Sequence, residues 1–453
     1  PSISVDAGSD YMVETLAKTG DFPYTFSNSE STSKDVYFIF TNYTEYNSTV
    51  YPTVFAENTI SLSQDDEAKN QTSKDNQAPL SEQAVVEKKI SDKNAQVVAS
   101  LQVNSSPASI SMSTLTLKPS VISYNSLGDT DSFYDDVDDT YIDVTLQYTE
   151  IVNGKTLEIG VADDCFTGGT KTNLMNSPMV KTIAEEFMPS DGSNGIYHWV
   201  TDIFGSEWGD AYTNYNNLIT PDNRIVIFFY DINNDNSTNG GVLGYFSSTH
   251  NLKNDPNSNP NSDECVRFAI DAVLMAEAVD TWDIDDPWPQ EMLSTIAHEF
   301  QHVVHFYQKQ VVQMAGWTDT WINEMCSLIA EDLLSKELVL PGPRGVNGTI
   351  ASSGSTGNTN GRLPLYIYWP EESLTVWDGS SLDYSTAYSF GAFLARNYGG
   401  APLFGNIVQN SYSDSRAITS QIPGETMESL LVKWGVAALL SDATDVASGL
   451  QYN

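Results

Sequence analysis

Ser294-Thr-Ile-Ala-His298-Glu299-Phe-Gln-His302-Val-Val-His305 decides how this chain of 453 residues is read. Apolar Leu293, Ile296, Phe300, Val303, Val304 and Tyr307 recur at helical spacing, which predicts a helix over about 291 to 309. His298 and His302, four apart, then project from one face about a turn from each other. Two imidazoles so placed can share one metal ion. Zinc takes about four ligands, and a catalytic site leaves one of those positions to water. Glu299, beside the first imidazole, points along the same groove edge and can take a proton from that water. Only five His occur in the chain, at 198, 250, 298, 302 and 305, and three of them fall here, which favours a ligand cluster over coincidence.

The third ligand must come from elsewhere. His305 follows His298 by about 10 Å of helical rise, too far for both to meet one ion on a continuous helix. A Gly that turns the chain would change this, but position 308 is Gln. His305 therefore reads as a packed or hydrogen-bonded helix residue. Glu324, in Trp321-Ile-Asn-Glu324-Met-Cys-Ser327-Leu-Ile-Ala-Glu331, is the better candidate. Trp321, Met325, Leu328 and Ile329 give this stretch helical periodicity and leave a carboxylate on the opposite face. Two His and one Glu form an established catalytic zinc set. Glu331 is the second choice as a ligand; it also reads as an acceptor for a His N–H or as a solvated acid. Cys326 reads as core.

Around this segment the chain changes character twice. Residues 1 to about 115 read as strands and turns: Val36 to Phe40, Val54 to Leu62 and Ser109 to Leu117 have sheet character, and an N-terminal β-sandwich is expected. The polar stretch 64 to 96 between them reads as an exposed loop or a short surface helix. From about 120, strands at 140 to 148 and 156 to 161 flank the turn Asn153-Gly154, a hairpin signal. A helix is expected from Ser177-Pro178, with Ser as cap and Met179, Ile183 and Phe187 on one face. Arg224 to Tyr230 is apolar on both faces and reads as a central buried strand. Val266 to Leu274 reads as a further strand, placed at the sheet edge. After 290 the pattern is mostly helical, at about 291 to 309, 321 to 336, 386 to 398 and 426 to 440. Strands followed by helices indicate an α+β fold. The expected divisions are 1–118, 119–320 and 321–453.

Composition removes several classes of function. With 21 Lys and Arg against 60 Asp and Glu, the formal charge is −39, and no cationic cluster exists to hold nucleic acid phosphates or an anionic membrane surface. No run of 18 or more apolar residues predicts a transmembrane helix. The chain begins at Pro1 with no Met or apolar leader, which reads as a mature form. Three Cys allow one disulfide at most, with Cys265 as the expected partner of Cys165. High acidity with few Lys and Cys fits a secreted bacterial protein.

The run His298-Glu-Phe-Gln-His302 with Trp321-Ile-Asn-Glu324 resembles the hyicolysin family of secreted bacterial zinc metallopeptidases, zincins with a glutamate third ligand. Val161-Ala-Asp-Asp-Cys165, Ile196 to Gly205, Ile225 to Asn233 before Gly244-Tyr-Phe246, and Tyr384-Ser-Thr-Ala-Tyr388-Ser-Phe-Gly391 agree with it. The likeness spans roughly 140 to 440. It implies an α+β zincin-type metalloprotease domain with a mostly helical C-terminal part, following the N-terminal β-sandwich-like region. It also implies zinc on His298, His302 and Glu324, Glu299 as general base, and protein or peptide substrates. An oxyanion donor from a downstream helix is expected, with Tyr388 first and Tyr384 behind it. A strand at the sheet edge would pair with an extended substrate. One position departs from the pattern: the family often has Gly after the ligand Glu, and here it is Met325.

Two acidic stretches offer structural calcium as an alternative to plain solvated loops, the reading preferred for each. Asp231-Ile-Asn-Asn-Asp235-Asn-Ser237 alternates oxygen ligands like the start of a calcium loop but lacks its Gly and its final Glu, and Asp129 to Asp139 is a denser acidic cluster. The expected whole is a secreted, monomeric zinc endopeptidase. The alternative is a non-catalytic or latent zincin-like surface or adhesion protein, and the two separate at Glu299.

Overall fold

The computed structural model describes residues 2–4, 25–27, 82–103, 126–337, 362–440 and 449–450. Contacts divide the chain into two compact units, Pro1–Asn76 with Pro423–Asn453, and Gln77–Ile422. In the first, β1 (Ser2–Ser4) pairs in parallel with β2 (Thr25–Ser27). The same unit holds the helix Met427–Leu439, capped by Thr426, whose side chain accepts from the Ser429 amide. The strands expected at 36–40, 54–62 and 109–117, and with them the N-terminal β-sandwich, lie outside the described residues.

The second unit is built on a six-stranded sheet: β3 (Thr130–Asp135), β4 (Thr140–Val152), β5 (Lys155–Ala162), β6 (Arg224–Tyr230), β7 (Gly244–Tyr245) and β8 (Arg267–Asp271). The spatial order is β3-β4-β5-β6-β8-β7. β4 and β5 form the expected hairpin, and Asn153 and Gly154 both take positive φ (52° and 84°), the backbone that a two-residue turn between twisted strands requires. β6 lies parallel between β5 and β8, and six of its seven residues are buried, as its unbroken apolar run predicts. β7 runs antiparallel to β8 and closes the sheet.

This order moves the edge away from 266–274. β8 has neighbours on both sides, and α4 (Ala272–Met275) begins at its end, where the Asp271 carboxylate accepts from the Leu274 amide at 2.8 Å. The edge beside β8 is β7, whose two residues are too few to show periodicity in a sequence.

The helical layer contains α1 (Glu82–Ser100), α2 (Ser177–Phe187), α3 (Ile196–Phe204), α5 (Pro287–His305), α6 (Thr320–Glu337), α7 (Arg362–Tyr368) and α8 (Ser381–Asn397). The cap of α2 is Asn176, one residue before the expected Ser177; its side chain accepts from the Met179 amide at 3.1 Å. Phe187 then meets Phe268 of β8 and Phe300 of α5, with ring centres 6.1 and 5.1 Å away, so one aromatic cluster joins α2, sheet and α5. Among the described residues no helix is long and apolar enough to cross a membrane.

α1 differs most from expectation. It overlaps the polar stretch read as a loop or short surface helix and runs four residues past it, yet it has 19 residues and buries Val86, Ile90, Asn94 and Val97 along one stripe. Lys89 and Lys93 are paired across to the sheet side rather than solvated. Lys89 Nζ donates to the Val137 carbonyl and to Asp139, both at 2.6 Å, and Lys93 Nζ donates to Asp136 and Asp139 at 2.9 and 2.8 Å.

Cys165, Cys265 and Cys326 are buried free thiols. The expected Cys165–Cys265 bridge does not form, for a topological reason. Cys165 follows the C-terminal end of β5 and Cys265 precedes the N-terminal end of β8, at opposite ends of parallel strands.

Candidate metal centre

α5 and α6 bring together three of the residues read from the sequence. His298 Nε2 lies 3.2 Å and His302 Nε2 3.6 Å from Glu324 Oε2, and the two imidazole centres are 4.8 Å apart. Among the described residues this is the one group of His, Cys, Asp or Glu whose ligand atoms converge on a common point. The donor set fits zinc. Bonds of about 2.0–2.1 Å in a tetrahedron put ligands about 3.3 Å apart, close to the separations found.

A second ring of side chains orients these ligands. His298 Nδ1 lies 2.7 Å from Glu331 Oε1, and Glu331 Oε2 accepts from Ser294 Oγ at 2.9 Å. His302 Nδ1 is 3.2 Å from Asn323 Oδ1 and 3.0 Å from Ser327 Oγ, which donates to Gln301. Glu331 thus fills the acceptor role weighed for it and is not one of the converging ligands. His305 is buried apart from the cluster with Nε2 3.1 Å from Thr318 Oγ1; burial and nearby Lys309 hold its pKa well below the usual value.

The electrostatics favour a cation. Burial acts to lower the His298 pKa, but the hydrogen bonds its ring donates to Glu324 and Glu331 overcome it and raise the value to about 10. Burial works the other way on Glu324, and His302 and His298 hold its carboxyl far below the usual range. The metal-free site therefore keeps a proton where a divalent ion would replace it. Glu299 is raised by burial, against the pull of His302 and His298.

Glu299 lines the same cleft, a cavity of about 120 Å³ bounded by the edge residues Leu243, Gly244 and Tyr245, by α5 and α6, and by α1. Edge and helix approach closely here. A β-carbon on Gly244 would stand 2.9 Å from Glu299 Cγ, 3.0 Å from the Ala269 carbonyl and 3.0 Å from Thr295 Cγ2, so this position excludes a side chain.

Tyr388 does not reach the cleft. It is fully buried behind it, and its hydroxyl donates to Asp332 at 3.1 Å, an acid also bound by Arg396. Tyr384, one turn earlier on α8, does line the cleft: its ring centre is 6.4 Å from that of His298, and Arg362 stacks 5.3 Å above it. The periodicity of α8 makes both tyrosines inward-facing and does not say which faces the metal ligands. Arg362 was not legible in the sequence, because nothing near it carries a motif. Met325, where the family often has Gly, is accommodated by Gly391, whose β-carbon would lie 2.8 Å from Met325 Cγ.

The calcium expectation is not supported. Lys171 Nζ sits 2.5 Å from both Asp231 Oδ2 and Asn234 Oδ1, placing an ammonium among the oxygens of that loop. In the second acidic cluster Asp135 accepts from the Tyr230 hydroxyl at 2.6 Å, Asp136 pairs with His250 at 2.8 Å and Lys93 at 2.9 Å, and Asp139 takes Lys89 and Lys93.

Comparison with known proteins gives the family. The neutral metalloprotease ShpI of Staphylococcus hyicus is 26% identical over 303 residues, covering 64% of this chain and 58% of that protein. The chain thus spans less than two thirds of that relative. Among solved structures, an aminopeptidase N family protein of Idiomarina loihiensis superposes with a TM-score of 0.33 at 14% identity, over 64% of this chain and 46% of that one. The peptidase M30 family profile matches residues 144–453, which contain the whole His298, Glu299, His302 and Glu324 cluster. The resemblance to the hyicolysin family holds, and the chain belongs to the peptidase M30 family.

Proposed function

We propose that the chain is a secreted zinc endopeptidase that hydrolyses peptide bonds with Glu299 as general base. The observation that carries this reading is the convergence of two imidazoles and a carboxylate beside a buried, unliganded glutamate at the edge of a sheet. Zinc held by His298, His302 and Glu324 supplies Lewis acidity, which makes water easier to deprotonate and a carbonyl easier to attack.

The chain's own residues supply the rest. Burial keeps Glu299 more basic than an exposed carboxylate, so it accepts the proton of the attacking water and passes it to the leaving amine as the C–N bond breaks. The Tyr384 hydroxyl stays protonated, because burial and the nearby Glu324 and Glu87 carboxylates raise its pKa well above the usual value, and it donates to the developing oxyanion. An extended substrate pairs with the backbone of β7, which reads main chain rather than side chains and so admits many sequences.

The test is prolonged cleavage of an unfolded protein such as casein by the parent chain and Glu299→Gln, with zinc measured on the same samples. One zinc per chain in both, with cutting by the parent alone, is the expected result. Zinc in both with no cutting by either would return the chain to the class of binding proteins, and zinc in neither would remove the site.

A further inference from the structure

α1 runs through the place a substrate needs. Val86, Glu87, Ile90, Ser91 and Asn94 line the same cleft as His298, Glu299, His302 and Glu324. We propose that α1 is a built-in blocker of the cleft, standing in for substrate along the sheet edge and setting Glu87 on Tyr384, so that full activity requires its displacement. The inference rests on the peptidase reading above.

Two sets of contacts imitate a bound peptide. The Asn94 side chain, nearly buried, donates from Nδ2 to the Phe246 carbonyl at 2.9 Å and accepts at Oδ1 from the Ser248 amide at 2.7 Å and hydroxyl at 2.8 Å. One carboxamide thereby engages a carbonyl and an amide of the segment that continues β7, the groups an added strand would use. At the other end of the cleft Glu87 and Tyr384 line the same cavity, and the Glu87 carboxylate is close enough to help hold the Tyr384 hydroxyl in its protonated form. That hydroxyl is the proposed oxyanion donor, and a carboxylate is also the group that peptide hydrolysis leaves on the acyl side. The fit is close: a β-carbon on Gly379 would stand 2.7 Å from Glu87 Oε2 and 3.1 Å from Ala84 Cα.

The anchors of α1 suit release. Outside the cleft Lys89 and Lys93 both bind Asp139, which is half exposed, so these two pairs are weakened by water and salt, whereas the Lys93 pair with Asp136 is buried on the acid side and is the anchor that must be cut. α1 also stands apart from the catalytic parts in sequence, because the family profile begins at residue 144 and every cluster residue lies beyond that point.

The test uses the full chain carrying Lys93→Glu with Asn94→Ala, which removes an anchor and the edge mimic without touching the cluster. Amide exchange over Glu82–Ser100, zinc content and casein cleavage are measured on this variant and on the parent. Faster exchange in α1 with at least a tenfold rise in cleavage at unchanged zinc is the expected result. Faster exchange with cleavage equal to the parent's overturns the blocker while leaving the peptidase intact. Faster exchange with zinc bound and no cleavage in either protein overturns both. If the double variant melts early, Glu87→Ala alone, which keeps every anchor, raises cleavage about threefold; no rise there also overturns the proposal.

Discussion

His298 presents Nδ1 to Glu331 at 2.7 Å and Nε2 to Glu324 at 3.2 Å, so one ring is held between two carboxylates of the same helix. The first fixes the ring and raises its basicity, and the second would share a bound metal with it. Glu331→Gln keeps the shape and removes the charge. Zinc affinity measured by competition with a chelator should fall about 10- to 100-fold, the usual cost of losing such a support. An unchanged affinity would reduce Glu331 to a packing role.

The two tyrosines of α8 make a paired prediction. Tyr384→Phe should lower kcat on a peptide substrate about 100-fold with KM little changed, since only the transition state uses the hydroxyl. Tyr388→Phe should leave kcat within about twofold and lower stability by about 1–3 kcal/mol, because a buried bond to Asp332 is lost. The reverse pattern would restore Tyr388 as the donor.

Much of this site was legible in the sequence, and the illegible parts have physical causes. His298, His302 and Glu324 were found because helical spacing converts directly into a shared face. The choice between Tyr384 and Tyr388 was not, because a helix buried on most sides gives both an inward direction. β6 announced itself by a long apolar run, whereas β7 has two residues and its place at the edge is set by tertiary pairing. α1 was missed as a packed element because Lys89 and Lys93 look like a solvated face when their acids lie more than 40 residues away.

Glu291 gives a prediction about pH. Burial, and then the charge of Glu331, raise its pKa to about 7, against an ordinary value of 4.5. A carboxyl with a raised folded-state pKa is most favourable to folding below the unfolded value, and that contribution is lost as pH rises through the folded value. Folding stability of the metal-free chain should therefore carry a falling component between about pH 4.5 and 7, on the order of 3 kcal/mol. Denaturant unfolding across that window checks it, and Glu291→Gln should flatten the slope.

Gly244 predicts a steric effect on the cleft. Gly244→Val would drive β7 from α5, since even a β-carbon is too close to Glu299 and to the Ala269 carbonyl. Peptide cleavage should fall more than tenfold while zinc stays bound at His298, His302 and Glu324. Retained cleavage would show that the edge shifts without cost to Glu299.

Lys171 decides what a chelator can do to this protein. Its side chain is bonded to the chain at one end and supplies positive charge at the other, so the loop around Asp231 has a counter-ion that dialysis does not carry away. Sequestering divalent ions takes nothing from that loop. Loss of turnover and loss of folding should then occur at different chelator doses, and inactivation of the folded protein would report on an ion at His298, His302 and Glu324 rather than on that loop.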